Sequence, residues 1–365
     1  MENETDEAMG NHAKAFSEIV GQDEAIGFLK QVLAREKIPH AYLFLGVSGV
    51  GKTTTALSFG RALNCLEPLD TDGCGRCVHC RQMAGGNFPD LETVRPDGRV
   101  IRIEQIRELT RRMGLKTVTG RYRLSLIERA ETMTVEAANA FLKTLEEPPP
   151  GNVLVLTASD QRDLLPTILS RCQKVRFRPV QPDRVASWLQ KAAGISAEQA
   201  AVLARLSEGS PGRALRMAQS EDFGDRCAEH LRALMGLHRM SRPDVIDLAV
   251  RYVRETKKES GGGEEEETEG GLHGVLSLWK TCLRDMLLMK TGKVQDLLIH
   301  GDDGGAWSHA VRTYTVGGLV DGILALERAQ RDLARARNRE LMMETTLLSL
   351  RDLGGGGGIH RTSDP

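Results

Sequence analysis

Aromatic residues are scarce in this chain, 4% of its 365 residues, and its charge is nearly balanced, with a formal value of −1. A single-strand nucleic-acid module relies on a basic groove lined with stacking rings. So neutral and ring-poor a composition speaks against that class, and any contact with nucleic acid must come from a local patch. No run of 18 apolar residues occurs, and the first residues, Met1-Glu2-Asn3-Glu4-Thr5-Asp6-Glu7, are acidic and polar. Neither a membrane span nor a signal peptide is expected, which points to a cytoplasmic protein with no membrane partner. No internal repeat is visible. There are seven cysteines, but they lack the even spread of a disulfide framework, because four crowd into residues 65–80. In a reducing compartment such crowding is more often a metal site. Apolar residues at 40% and charged ones at 27% describe an ordinary globular chain, long enough for two or three domains.

What is present is organised around Leu43-Phe44-Leu45-Gly46-Val47-Ser48-Gly49-Val50-Gly51-Lys52-Thr53-Thr54. Apolar residues run into Gly-x-x-x-x-Gly-Lys-Thr, and a helix-compatible segment (Thr55, Ala56, Leu57, Phe59) follows. That is strand, phosphate loop, helix. Glycines at 46, 49 and 51 let backbone N–H groups turn inward around phosphate oxygens, and the following helix presents its positive end to the same anion. Lys52 then reaches the β- and γ-phosphates, with Thr53 as a Mg²⁺ ligand and Thr54 beside it in the first turn. ATP or ADP with Mg²⁺ is the expected ligand.

Upstream, residues 1 to about 14 read as a disordered lead-in. Ala25, Ile26, Leu29, Val32 and Leu33 mark a helix, with Asp23 and Glu24 near its positive end. Ile19, Val20 and Gly21 lie close before the phosphate loop. They either supply the slot for a purine base or pack in the core, and their spacing fits both. Downstream, Cys65, Cys74, Cys77 and Cys80 form C-x8-C-x2-C-x2-C. Four thiolates there can wrap one tetrahedral Zn²⁺ with no open position, a structural site. A redox or disulfide pair is the alternative. His79 is expected as a loop residue and not a ligand.

Further on, Leu91–Val94 and Val100–Ile103 read as short strands, Ile106, Leu109 and Met113 as a helix, and Leu124–Glu128 as a strand. In phosphate-loop enzymes the strand beside the loop ends in an Asp that assists Mg²⁺. Here that position holds Glu128. The next position, where an ATPase needs a Glu to activate water, holds Arg129, which cannot lose its proton at neutral pH. The binding half of the site is intact and the chemical half is altered. Ala137–Glu147 reads as a helix stopped by Pro148-Pro149-Pro150, and Val153–Thr157 as a buried parallel strand whose end, at Thr157 or Ser159, faces a γ-phosphate. Pro166–Cys172 leads into Val175-Arg176-Phe177. The expectation is a doubly wound α/β domain over residues 15–178. Pro179–Pro182 mark a hinge, and residues 183–220 hold about three short helices. From 222 to 353 the pattern is helical, broken by a flexible Gly/Glu insertion at 260–271, and a disordered tail starts at 354.

Several of these stretches together resemble the clamp-loader subunits of bacterial DNA polymerase III, members of the AAA+ group. They are Ile19-Val20-Gly21-Gln22, the phosphate loop, the four cysteines, Ala137–Pro148 and Ser170-Arg171-Cys172. The match runs from about 15 to 350. Within the family, the Ile127–Glu131 stretch without its Asp-Glu pair, the Glu208–Leu215 segment and the single helical C-terminal domain are similar to the delta-prime branch. The gamma/tau-type ATPase motor is the alternative. The resemblance implies an α/β AAA+ domain with an inserted zinc module, a helical lid over 179–221 and an all-α collar over 222–353. It implies weak or no hydrolysis by the chain itself and an arginine finger, Arg171, lent to ATP on a neighbouring subunit. It gives Arg213 the part of a residue that senses nucleotide from the lid. Implied partners are the gamma/tau motor subunits, the delta clamp-opening subunit, the sliding clamp and primer–template DNA.

Overall fold

The computed structural model describes residues 13–220, 222–259, 271–292, 311–312, 314–333 and 338–353. The lead-in up to residue 12, residues 260–270 of the Gly/Glu insertion and the tail from 354 lie outside the described residues. The chain divides into two compact units, Met1–Arg216 and Met217–Pro365.

The first unit is built on a five-stranded sheet. Its strands are β1 (Ala41–Leu45), β2 (Leu91–Val94), β3 (Arg123–Ile127), β4 (Asn152–Ala158) and β5 (Gln173–Arg176), in the order β2-β3-β4-β1-β5. Every pairing is parallel. A parallel sheet needs crossovers, and helices supply them on both faces. On one face lie α1 (Asp23–Arg35), α2 (Lys52–Asn64) and α3 (Val78–Ala84); on the other lie α4 (Ile103–Met113), α5 (Val135–Glu146) and α6 (Pro166–Leu169). Alternation along β1, an interior strand, builds the two cores. Tyr42 and Phe44 of β1 pack with Leu29, Phe59 and Met83, while Leu43 and Leu45 pack with Ile106, Leu109 and Phe141. The run Val153–Ala158 is buried throughout, as a central strand covered on both faces requires.

The reading of Val100–Ile103 as a strand is corrected. Ile101 makes one isolated bridge, to Met133, and Ile103 opens α4. The Arg102 N–H donates to the Gln105 side-chain oxygen at 3.0 Å, a helix-start contact that outweighs the apolar alternation of Val100, Ile101 and Ile103. Three short helices follow the sheet, α7 (Pro182–Ala193), α8 (Ala197–Leu206) and α9 (Pro211–Gln219), the first two packed together.

In the second unit the described elements are helical: α10 (Phe223–Gly236), α11 (Arg242–Glu259), α12 (Leu272–Lys290), α13 (Val316–Leu333) and α14 (Arg339–Leu353), with a short 3₁₀ turn at Leu237–Arg239. α12 is the axis of this unit and buries Leu276, Trp279, Cys282, Leu283 and Met286. Trp279 meets Tyr252 edge-on at 5.3 Å and donates its indole N–H to the His230 carbonyl at 2.9 Å, so its one polar atom is satisfied. No helix among the described residues is long and apolar enough to cross a membrane.

Candidate nucleotide site and thiol cluster

The phosphate loop leaves the carboxyl end of β1, an interior strand between β4 and β5, at the edge of the sheet where open α/β folds bind ligands. Gly49 and Gly51 take φ of +70° and +105°, a region costly for residues with a Cβ. Gly51 caps α2, whose first turn carries Lys52, Thr53 and Thr54, all half-buried. The Lys52 ammonium bends back over the loop and donates to the carbonyls of Gly46 (2.5 Å) and Val47 (2.9 Å). Gly46 in turn donates its N–H to Ala158 at the end of β4 (3.1 Å), which registers the loop against the sheet.

The segment before α1 closes over this loop. Ile19 is buried, and a Cβ added at Gly51 would stand 3.8 Å from its Cγ2; Val20 is half-buried. Gln22, 3% exposed, donates its amide N–H to the Val50 and Arg178 carbonyls and accepts from the Arg178 N–H, joining the segment to the loop and to the end of β5. From the other side comes the start of α9. The Ser210 hydroxyl donates to the Ser48 carbonyl (2.9 Å) and the Gly212 N–H to the Gly49 carbonyl (2.9 Å). A Cβ at Gly212 would lie 2.9 Å from that same carbonyl oxygen, so glycine is what lets α9 approach the loop. Arg213 follows in its first turn, 3.5 Å from the Glu208 carboxylate and mostly covered.

At the end of β3, the Glu128 carboxylate lies 3.2 Å from Arg95 Nε. Arg129 takes a left-handed conformation, φ +53°, and donates its N–H to the Thr157 hydroxyl (3.1 Å). Thr157 is buried there, while Ser159 is exposed and gives its N–H to Glu131 (3.2 Å). Arg171 sits after α6, away from its own chain's loop in sequence and bound to acceptors of its own chain. One guanidinium nitrogen contacts Glu146 Oε1 at 2.5 Å, and another donates to the Thr167 carbonyl (3.0 Å) and the Ser170 hydroxyl (3.2 Å).

The thiol cluster follows α2. Sγ atoms of Cys65, Cys74, Cys77 and Cys80 all lie within 4.8 Å of one another, with the pairs Cys65–Cys77 and Cys74–Cys80 at 4.0 Å. Tetrahedral Zn–S bonds of about 2.3 Å require sulfurs roughly 3.8 Å apart, so the donor set fits zinc. Backbone N–H groups of Cys74, Cys77 and Cys80 donate to the preceding sulfurs, an arrangement that stabilises thiolates. The Cys77 N–H holds the Cys74 thiol down at about 6, while burial pushes Cys80 up. His79 is corrected from loop to helix: Cys77 caps α3, which places His79 in the first turn. Its Nδ1 pairs with the Asn64 carbonyl at 2.8 Å.

Residues 21–181 match the family model described as DNA polymerase III, delta subunit. The chain is 28% identical over 331 residues to DNA polymerase III subunit delta' of Bacillus subtilis, covering 91% of this chain and 96% of that one. The chain is similar to the DNA polymerase III delta' and tau/gamma subunits. The delta' subunit of Pseudomonas aeruginosa is 38% identical over 51% of this chain and 58% of its own length. The tau/gamma subunit of Haemophilus influenzae is 36% identical over 48% of this chain but only 25% of its own length. A crystal structure of a gamma subunit-related protein from Thermotoga maritima superposes with a TM-score of 0.46 at 18% identity, covering 90% of this chain and 99% of that one. The α/β unit has the parallel sheet, covered by helices on both faces, that the family resemblance implied.

Three residues had no assigned part before the structure: Gln22, Arg95 and Glu146. Gln22 stood in a quoted motif, but its partners lie up to 156 positions away. The acidic Glu146-Glu147 pair at the end of α5 is the one local signal that was there to be read. Carboxylates oppose the negative end of a helix, and their presence asks for a reason.

Proposed function

We propose that the chain is a delta-prime-like subunit of a DNA polymerase III clamp loader, helping to load a sliding clamp onto primed DNA. It holds ATP or ADP with Mg²⁺ through Gly46–Thr54, hydrolyses it weakly or not at all, and lends Arg171 to ATP bound on a neighbouring tau/gamma motor subunit. The observation that carries this reading is the end of β3, where no acidic pair stands. Glu128 is engaged by Arg95, and Arg129 occupies the place of the water-activating carboxylate. A guanidinium cannot take a proton from water, but it stabilises charge on a transferring phosphoryl group. The site therefore suits retention of nucleotide, with Lys52 and the loop N–H groups on the phosphates, Thr53 and Glu128 toward Mg²⁺, and Ile19 and Val20 beside the base. Arg213 enters from α9 as a contact that reports occupancy. The four thiols hold a structural Zn²⁺. The match to a delta' subunit runs over 91% of this chain and that to a tau/gamma subunit over 48%, which supports the first over the motor reading. On this reading the second unit is the collar that joins the motor and delta subunits, and the clamp and primer–template DNA are met through the assembly.

The test is to purify the chain alone and with its native tau/gamma and delta partners. The expected result is nucleotide binding that Lys52→Ala abolishes, negligible turnover by the isolated chain, and a stable complex with those partners. Robust Mg²⁺-dependent hydrolysis by the isolated chain, lost in Lys52→Ala, would instead make it a motor.

A further inference from the structure

Arg171 is not presented to solvent as a bare cation. Its Nη2 meets the Glu146 carboxylate at 2.5 Å, and its Nη1 donates to the Thr167 carbonyl and the Ser170 hydroxyl. The Ser170 hydroxyl itself donates to Thr167, so the turn after α6 is a fixed platform for the guanidinium. Five N–H donors belong to an arginine. Three are engaged, two on this platform and one by Glu146, which leaves the Nε–H and a second Nη2 hydrogen without an acceptor among the described residues. Nε–H and Nη2–H together make the side edge of a guanidinium, which can pair with two oxygens of a carboxylate or phosphate. The Arg171 side chain keeps 34% of its surface exposed and Glu146 keeps 49%, so the pair stands at the rim and not in the core.

Glu146 is also placed against local preference. It is the last residue of α5, at the negative end of the helix, with Glu147 beside it and prolines following. Carboxylates are disfavoured there, and such a violation of a local rule marks a residue retained for something other than the helix. The facing group that offsets the cost is Arg171.

We infer that Glu146 is a positioning residue for Arg171: its carboxylate sets the direction of the guanidinium so that the unsatisfied edge meets a triphosphate on the adjoining subunit. This rests on the reading of Arg171 as a group lent in trans. Being exposed, the ion pair is screened and weak. It can therefore orient the guanidinium without competing successfully against a multiply charged phosphate. Glu146 touches neither nucleotide nor Mg²⁺ in this scheme and acts only through Arg171.

The experiment uses the reconstituted complex of this chain with its native partners, measuring DNA-stimulated ATP hydrolysis for wild type, Glu146→Gln, Glu146→Asp, Arg171→Ala and the Glu146→Gln/Arg171→Ala double variant. Glu146→Gln is expected to lower kcat by about 10- to 100-fold, the usual cost of a misplaced catalytic group. The KM for ATP should stay unchanged, because Glu146 does not contact ATP. Glu146→Asp should recover part of the rate, and the double variant should be no slower than Arg171→Ala alone. A wild-type rate for Glu146→Gln, a rise in KM in its place, or further slowing in the double variant would overturn the inference while Arg171 keeps its role. An unchanged rate for Arg171→Ala would remove the underlying reading itself.

Discussion

Two arginine–carboxylate pairs in the first unit differ in everything except chemistry. Arg123 and Asp90 lie 3.3 Å apart with side chains 5% and 0% exposed; Arg171 and Glu146 are closer, at 2.5 Å, but 34% and 49% exposed. Asp90 also accepts from the N–H groups of Val118, Thr119 and Gly120. Arg123 donates to the carbonyls of Arg112, Leu115 and Lys116. The first pair ties the start of β3 to the loop before it and to the end of α4. The second touches only its own helix ends. The shorter contact is the weaker one, because water competes for an exposed pair and cannot reach a buried one. In this domain burial separates an ion pair walled off from water from one that water reaches.

The largest effect expected from breaking this contrast is on activity. Arg171→Ala should cut ATP hydrolysis by the assembled loader by about 10³-fold or more, as removal of other trans-acting arginines does. Its thermal unfolding should stay that of the wild type. An unfolding midpoint that falls along with the rate would place Arg171 in the same class as Arg123. Asp90→Ala should do the reverse. Leaving the Arg123 charge buried and three N–H groups without an acceptor costs about 3–5 kcal/mol, or roughly 10 °C in the midpoint for a domain this size. Burial alone would raise the pKa of Asp90, but the three N–H bonds and Arg123 together hold it below the usual carboxylate range. A depressed pKa contributes stability that is present above the unfolded value and is lost as pH falls through the folded one. Acid unfolding below the ordinary carboxylate range should therefore be steeper in wild type than in Asp90→Asn, measured by circular dichroism against pH.

The same contrast explains what could be read before the structure. The strand–loop–helix at Leu43–Phe59 was legible because periodicity and a spaced motif are local properties. So were the thiol cluster, the buried run Val153–Thr157 and the helix at Ala137–Glu147. Val100–Ile103 misled because its alternation is that of a strand, whereas the deciding contact is one side chain, Gln105, bonding back to Arg102. Asp90 was invisible for a different reason. Between a proline and an apolar strand it reads as a turn residue, and its partners lie 28 to 33 positions ahead. Gln22 shares that blindness, since it acts on a chain segment brought near only by the sheet, whereas Glu146 left a local signal at the negative end of α5 but gave no sign of its partner Arg171, 25 positions on.

A third region lies outside both pairs and should respond more locally than Asp90→Ala. The thiol cluster follows α2 and is tied to it by Arg61 and Asp72, 3.0 Å apart. The purified protein should carry about one equivalent of zinc, the load of a four-thiolate site. Chelation should make the thiols at 65, 74, 77 and 80 reactive and lower the unfolding midpoint by less than Asp90→Ala does, with the sheet's circular dichroism retained. Absence of metal under reducing conditions would deny the cluster this role.

The smallest effect is the most discriminating. Glu146→Ala in the isolated chain should change stability by no more than about 0.5 kcal/mol, the range for surface substitutions. The lost pair is exposed, and removing a carboxylate from the negative end of α5 is itself favourable. The two contributions oppose each other, so the midpoint in urea could even rise. A loss comparable to that of Asp90→Ala would mean that water does not reach the pair, and that Arg171 is held too firmly to be given to another subunit. Near-neutral stability beside a slowed assembled loader would instead separate the two kinds of pair on the one property, access to water, that distinguishes them.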